Sequence, residues 1–291
     1  MRGGSVTGHF LGAPGRRIFA LLREPVGRPR GGTVLVVPPF AEEMNKSRRM
    51  ITETAQRLCD AGRPVLLPDL FGTGDSEGEF RDARIDLWLE DLELACSFAA
   101  GRGSPVEAVL AVRLGCGLAV AAARRGALPV EAATAWWQPA LDGKRHLAQF
   151  LRLRVAAGSM RGDVPETVEG LRERSAGGEM LTVAGYDLSP ALVKGLESLA
   201  AETLPPGSGR LHWFEFVRDA GAAAPLPATR FIERARASGA SVTIETVAAE
   251  PFWLSSEIVR LPEVADRTAA VLAGASGAAP GRAAREGTVC A

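Results

Sequence analysis

Thr33-Val34-Leu35-Val36-Val37 is a continuous, largely β-branched run. Such a run predicts a strand buried on both faces of a parallel sheet. A strand over Arg17 to Arg23 precedes it across the turn segment Gly27 to Gly32. Lys46 to Ala61 has helical spacing, with Met50, Ile51, Thr54, Ala55 and Leu58 on one face and Gly62 past the end. Val65-Leu66-Leu67 predicts a short strand, and Ile85, Trp88, Leu89, Leu92, Ala95, Cys96 and Ala99 mark a long amphipathic helix. Strand Val106 to Val112, helix Leu114 to Arg125 and strand Val130 to Trp136 follow. This alternation predicts an α/β fold with a doubly wound, mostly parallel sheet.

The rhythm breaks between Pro139 and about Pro206. Helical patterns occur there at His146 to Ala156, Pro165 to Arg174 and Ser189 to Ala200, with strand character only at Met180 to Val183. Strand Leu211 to Val217, helix Ala228 to Ser238, strand Ser241 to Val247 and helix Leu261 to Leu272 then restore it. The expected organisation is a core of residues 1–137 and 205–272, with residues 138–204 as an inserted helical cap over the C-terminal sheet edge, where open α/β sheets bind ligands. Residues 273–291 are Ala/Gly/Arg-rich without periodicity and are expected to form a disordered tail.

Composition narrows the function classes. The 291 residues are 46% hydrophobic and 23% charged, as in an ordinary globular protein. Basic and acidic residues number 34 each, so charge offers no case for nucleic acid or an anionic membrane as partner. Four cysteines form neither a disulfide framework nor a CxxC or Cys/His cluster, so no metal and no cofactor is expected. Met1 to Ser5 leads to no apolar signal core, and Val106 to Ala123 carries Glu107 and Arg113, which excludes a bilayer span there. A cytoplasmic location is expected.

Three loops should meet at the sheet edge. The first is Pro38 to Arg49, after the Thr33 to Val37 strand. The second is Asp69-Leu70-Phe71-Gly72-Thr73-Gly74-Asp75-Ser76, and the third is the strand-to-helix turn Ala111-Val112-Arg113-Leu114-Gly115. Their order resembles that of the α/β-hydrolase superfamily, in which an oxyanion loop, an Asp-x-x-Gly-x-Gly-x-Ser loop and a Gly-x-Ser-x-Gly nucleophile elbow succeed one another. A more specific resemblance is carried by Pro39 to Met50, Trp137-Gln138-Pro139 with Gly143-Lys144, Val183 to Pro190, and Pro251-Phe252-Trp253. Over about Gly8 to Leu272 the chain is similar to the second type of exosortase A system-associated hydrolase. That resemblance implies an α/β-hydrolase fold, a bacterial cytoplasmic location, and a link to exopolysaccharide production and PEP-CTERM protein sorting, with partner proteins from that system.

The residues depart from hydrolase chemistry at the elbow. Arg113 stands where the nucleophile is expected, and a guanidinium stays protonated. Ala248 to Trp253 contains no histidine where the base is expected. Asp219 stands where the third triad member is expected, but an Asp with no His to orient has no triad role. Glu42 and Glu43 are candidates to pair with Arg113 or to activate water. The bland alternative is an acidic turn with Asn45 as N-cap of the following helix. Cys116 is the alternative nucleophile, weighed against close packing beside Gly115 and Gly117. His9 and His212 read as structural, and His146 on the first cap helix either overhangs the site or, the favoured reading, sits at a solvated position. Ser76 reads as a turn residue. Phe40, Ala41, Asn45, Lys46, Leu114, Trp137, Gln138 and Trp253 are candidate pocket residues, the aromatics equally explained as packing. Arg113 at a helix N-terminus is either clamped by a neighbouring Glu or held for an anionic ligand, the latter slightly favoured. Two functions remain open. One is a hydrolase acting on a small ester, acyl or anionic substrate. The other is a non-catalytic ligand-binding or interaction module on a hydrolase scaffold.

Overall fold

The structure is a computed structural model that describes residues 4–274 except 163 and 256. Eight strands form the central sheet: β1 (Ser5–Leu11), β2 (Ile18–Glu24), β3 (Thr33–Val37), β4 (Val65–Pro68), β5 (Val106–Val112), β6 (Ala133–Trp137), β9 (Leu211–Val217) and β10 (Val242–Ala248). Their spatial order is β1-β2-β4-β3-β5-β6-β9-β10. The β1/β2 and β2/β4 pairs are antiparallel and the others parallel.

The continuous, largely β-branched run of β3 follows from its two buried faces. Leu35 and Val37 join the core with Ala111, Trp136 and Trp213, on the side covered by α2 (Ile85–Gly101) and α3 (Leu114–Arg124). Val34 and Val36 point the other way, onto α1 (Glu42–Asp60) and α8 (Pro262–Ala273), through Met50, Leu58, Val264 and Leu272. A further core helix, α7 (Leu226–Ala237), connects β9 to β10.

Between β6 and β9 the chain forms α4 (Gly143–Arg161), α5 (Val168–Ala176), the hairpin β7 (Leu181–Val183) and β8 (Tyr186–Leu188), and α6 (Pro190–Ser198). The hairpin pairs only with itself, turning through Ala184 and Gly185, both at positive φ. The two ends of the insertion are laced together by Gly143 N–H to Leu199 O (2.7 Å) and Ala201 N–H to Leu141 O (2.8 Å). Gly143 permits this approach, since a Cβ there would lie 2.1 Å from the Leu196 carbonyl oxygen.

Two local expectations change, and one strand carries no pattern from which to expect it. The edge strand β1 carries no buried alternation, because Ser5 to Gly8 are exposed and only Leu11 is buried. The helix expected from Lys46 starts at Glu42, so Asn45 lies inside it and Ala41 occupies the N-cap position without a side-chain cap. Residues of the expected tail begin inside α8, and those from 275 onward, Cys290 among them, lie outside the described residues. Among the described residues no helix is long and apolar enough to cross a membrane.

Candidate functional site

Three adjacent strands, β3, β5 and β6, each run into a non-glycine residue at positive φ. These are Ala41 (49°), Arg113 (54°) and Gln138 (42°). For residues with a Cβ this backbone costs on the order of 1–3 kcal/mol each, and it persists only where the surroundings enforce it. At Arg113, with ψ −120°, they do. Its N–H donates to Trp137 O (3.0 Å), and its carbonyl accepts from Cys116 N–H (3.1 Å) and Ala140 N–H (3.0 Å). Gly115 lets this turn press against the end of β3: a Cβ there would lie 2.5 Å from Val37 O.

The strained turn projects the Arg113 side chain into a closed cluster. Its Nε donates to Glu43 Oε1 (3.0 Å) and its Nη1 to Gln138 O (3.0 Å). The guanidinium carbon stands 5.0 Å from the Trp253 ring centre. Of the two neighbouring glutamates considered as partners for Arg113, Glu43 is the one that pairs with it. Only 12% of the Arg113 side chain and 13% of Glu43 is exposed, so the pair is largely desolvated. The pairing uses one carboxylate oxygen. Among the described residues Glu43 Oε2 has no hydrogen-bond partner, and His146 Nε2 lies 3.8 Å from it.

His146 is the largest departure from expectation. The solvated position read for it is wrong: α4 turns the imidazole inward against Phe40, and the residue is 5% exposed. Burial, then the Arg113 charge, pushes its pKa down to about 3, so the ring is neutral at physiological pH. Its Nδ1 has no partner among the described residues. Burial raises the Glu43 pKa, against the opposing pull of Arg113 and Lys46. A desolvated carboxylate with a free oxygen, a fixed cation and a neutral imidazole can accept a proton and stabilise a developing anion.

No family model matches the chain, and no curated protein does. Solved structures do. Est1E from Butyrivibrio proteoclasticus, with ferulic acid bound, aligns with 17% identity over 89% of this chain and 97% of its own, at TM-score 0.63. The esterase domain of a Rhodothermus marinus protein aligns with 19% identity over 93% and 97%, at 0.55. A lidless α/β serine hydrolase from Xanthomonas campestris aligns with 12% identity over 90% and 93%, at 0.51. The fold is the α/β-hydrolase fold. At these identities the likeness extends to the fold alone.

Within this α/β-hydrolase fold the remaining candidates scatter. A cleft of about 720 Å³ is lined by Phe40, Glu42, Glu43, Lys46, Arg113, Gln138, His146 and Trp253, among others. A second, of about 450 Å³, shares Arg113, Gln138 and His146. A third, of about 190 Å³, takes Ala41, Asn45 and Leu114 together with Phe40. Glu42 accepts a hydrogen bond from Tyr186 (3.4 Å), and Asn45 donates to the same hydroxyl (3.1 Å), so both tether the hairpin. Lys46 holds the loop after β10 through Leu254 O (3.2 Å).

Trp137 lies in none of these clefts. It faces the opposite side of the sheet and donates from Nε1 to Thr268 Oγ1 (3.0 Å). Cys116 is fully buried, with its thiol on Ala111 O (3.3 Å), and burial pushes its pKa well up, which removes the thiolate a nucleophile requires. Ser76 donates to Asp69 O (2.6 Å) and accepts from Phe19 N–H (2.7 Å), as a turn residue does. Asp219 is exposed in the loop after β9. The buried acid of that strand is Glu215, not proposed from sequence. It accepts from Gln138 Nε2 (3.0 Å) and Trp213 Nε1 (2.8 Å), and burial raises its pKa.

Proposed function

We propose that this chain hydrolyses a small ester, thioester or related acyl compound without a covalent acyl-enzyme, Arg113 standing in place of the serine nucleophile. The observation that carries the reading is Glu43, a residue of the 720 Å³ cleft lining: one carboxylate oxygen is fixed by Arg113, and the other is buried and unpartnered 3.8 Å from a neutral histidine. An orphaned buried carboxylate oxygen is costly, and such groups concentrate at functional sites. In the proposed step a water oxygen attacks the substrate carbonyl carbon and Glu43 takes the water proton. Arg113 stabilises the oxyanion. The tetrahedral species collapses by breaking the bond to the leaving oxygen or sulfur. That atom receives the proton back from Glu43, giving an acid and an alcohol or thiol.

Residues 138–204 serve as the cap that excludes bulk water from this cleft. The esterase neighbours support the substrate class, and the segments similar to exosortase A system-associated hydrolases support a cytoplasmic role in exopolysaccharide production, with partner proteins from that system. A second reading, ligand binding without turnover, is favoured by the engagement of Arg113 on three sides, by Glu43, Gln138 and Trp253. A panel of acyl esters and thioesters separates the two. The hydrolytic reading expects turnover that resists serine-directed fluorophosphonates and falls at least about a hundredfold in Glu43→Gln, the scale of general-base catalysis. Turnover unchanged in Glu43→Gln, or stoichiometric labelling of a serine, overturns it. Ligand binding with no turnover across the panel establishes the second reading.

A further inference from the structure

The 720 Å³ cleft has two kinds of wall. Phe150, Phe216 and Trp253 line its interior, and Leu153 and Leu254, at 48% and 60% exposure, stand apolar at its edge. Its volume lies within the range of about 300–1,000 Å³ typical of small-molecule sites. Four cations and two acids line it, in a chain whose basic and acidic residues balance at 34 each. Arg113 is neutralised by Glu43, and Glu42 is turned to Tyr186. The remaining charge is positive and comes from Lys46, Arg152 and Arg218.

Arg152 projects from α4 in the insertion and Arg218 from the end of β9 in the core, so the two approach the cleft from different parts of the fold. Both are exposed, and neither has an ion pair or hydrogen bond among the described residues. Many other arginines of this chain are paired, including Arg16, Arg17, Arg154, Arg172 and Arg174. Two residues lining the same cleft carry buried polar atoms without partners among the described residues, Glu43 Oε2 and His146 Nδ1. The lining therefore combines buried polar groups, apolar side chains and exposed cations.

We infer that the substrate is an acyl compound on an anionic carrier, the carrier's phosphate or carboxylate being held by Arg152 and Arg218 while the carbonyl meets Arg113 and Glu43. This rests on the cleft being the substrate site named above, and it adds the chemical class of the leaving group. Arginine suits that task because its planar fork binds phosphate or carboxylate through two parallel hydrogen bonds.

The test uses a pair of amides that resist hydrolysis and differ only in the phosphate: N-octanoyl-O-phosphoethanolamine and N-octanoylethanolamine. Calorimetry on the wild-type chain is expected to give at least about tenfold tighter binding of the phosphorylated probe, the worth of one charge-assisted hydrogen bond. That preference is expected to vanish in Arg152→Ala/Arg218→Ala, whose melting temperature should match the wild type because neither side chain has a partner to lose. Equal affinity for the two probes, no binding of either, or a preference that survives the double variant overturns the inference. Inorganic phosphate binding as tightly as the phosphorylated probe also overturns it, by removing the apolar body. Because the probes are not cleaved, a failed hydrolysis assay leaves this result standing, and a failed binding assay leaves Glu43 chemistry to its own test.

Discussion

Arg113→Ala removes the cation and leaves Glu43 buried beside Trp253 and a neutral imidazole. The pair is 12% and 13% exposed, so solvent screening offers little relief, and Lys46 is the one cation left to oppose the burial cost. Stranding one member of a buried pair costs about 3–5 kcal/mol. For a chain of this size about 2–4 °C accompanies each kcal/mol, which places the melting temperature roughly 6–20 °C below wild type. The deficit should depend on pH. Burial already raises the Glu43 pKa above its ordinary 4.5, and loss of Arg113 raises it further. A carboxyl that binds its proton more tightly folded than unfolded loses stability as pH rises from 4.5 through the folded value. The variant should therefore recover towards wild type as pH falls towards 4.5. Adding Glu43→Ala should restore stability instead of lowering it further, the signature of a coupled pair. Melts of both single variants and the double variant at pH 8 and pH 5 decide the matter. An Arg113→Ala protein that melts within 2–3 °C of wild type at pH 8, or additive losses in the double variant, refutes the clamp.

Three further outcomes follow from the geometry. The His146 pKa falls from 6.5 to about 3 on folding, so folded-state stability should decline as pH drops from 6.5 towards 3, by about 4–5 kcal/mol over the full window; urea melts of His146→Gln across that window should lack this component. Gly115→Ala places a Cβ 2.5 Å from Val37 O and should destabilise by about 1–3 kcal/mol, read by chemical denaturation; an unchanged midpoint would show that the elbow does not press on β3. Cys116 should resist iodoacetamide in the native chain and react only after unfolding, as followed by peptide mass spectrometry.

The sheet was legible because burial dictates residue type: Val34 to Val37 and Ala108 to Val112 are buried throughout and carry no polar residue. The edge strand β1 escaped for the opposite reason, since Ser5 to Gly8 face solvent and impose no pattern. The strand-to-helix turn at Arg113 was readable from Ala111 to Gly115, and the pairing of Arg113 with a neighbouring Glu was one of two stated alternatives. Trp137 was misplaced although the period of a strand contains the answer: Trp136 and Trp137 must face opposite sides, and only one can look towards the elbow's side. Glu215 left a legible trace as an acid inside the apolar strand Leu211 to Val217, whereas Asp219 drew attention by family position alone. His146 was not legible. Whether α4 turns it inward depends on how the insertion docks over Phe40, a long-range packing fact that local spacing does not encode.

Water activation by Glu43 is tested most directly by the pH dependence of kcat/KM on whichever ester or thioester the wild-type chain turns over. The account predicts a rate that rises with pH through one acidic limb, at a pKa above the ordinary 4.5 because burial favours the protonated carboxyl, and that limb disappears in Glu43→Gln. His146 contributes nothing near neutrality, since it remains unprotonated down to about 3. A limb centred near 6.5 that persists in Glu43→Gln would contradict the account, because it would identify an imidazole and not Glu43 as the base.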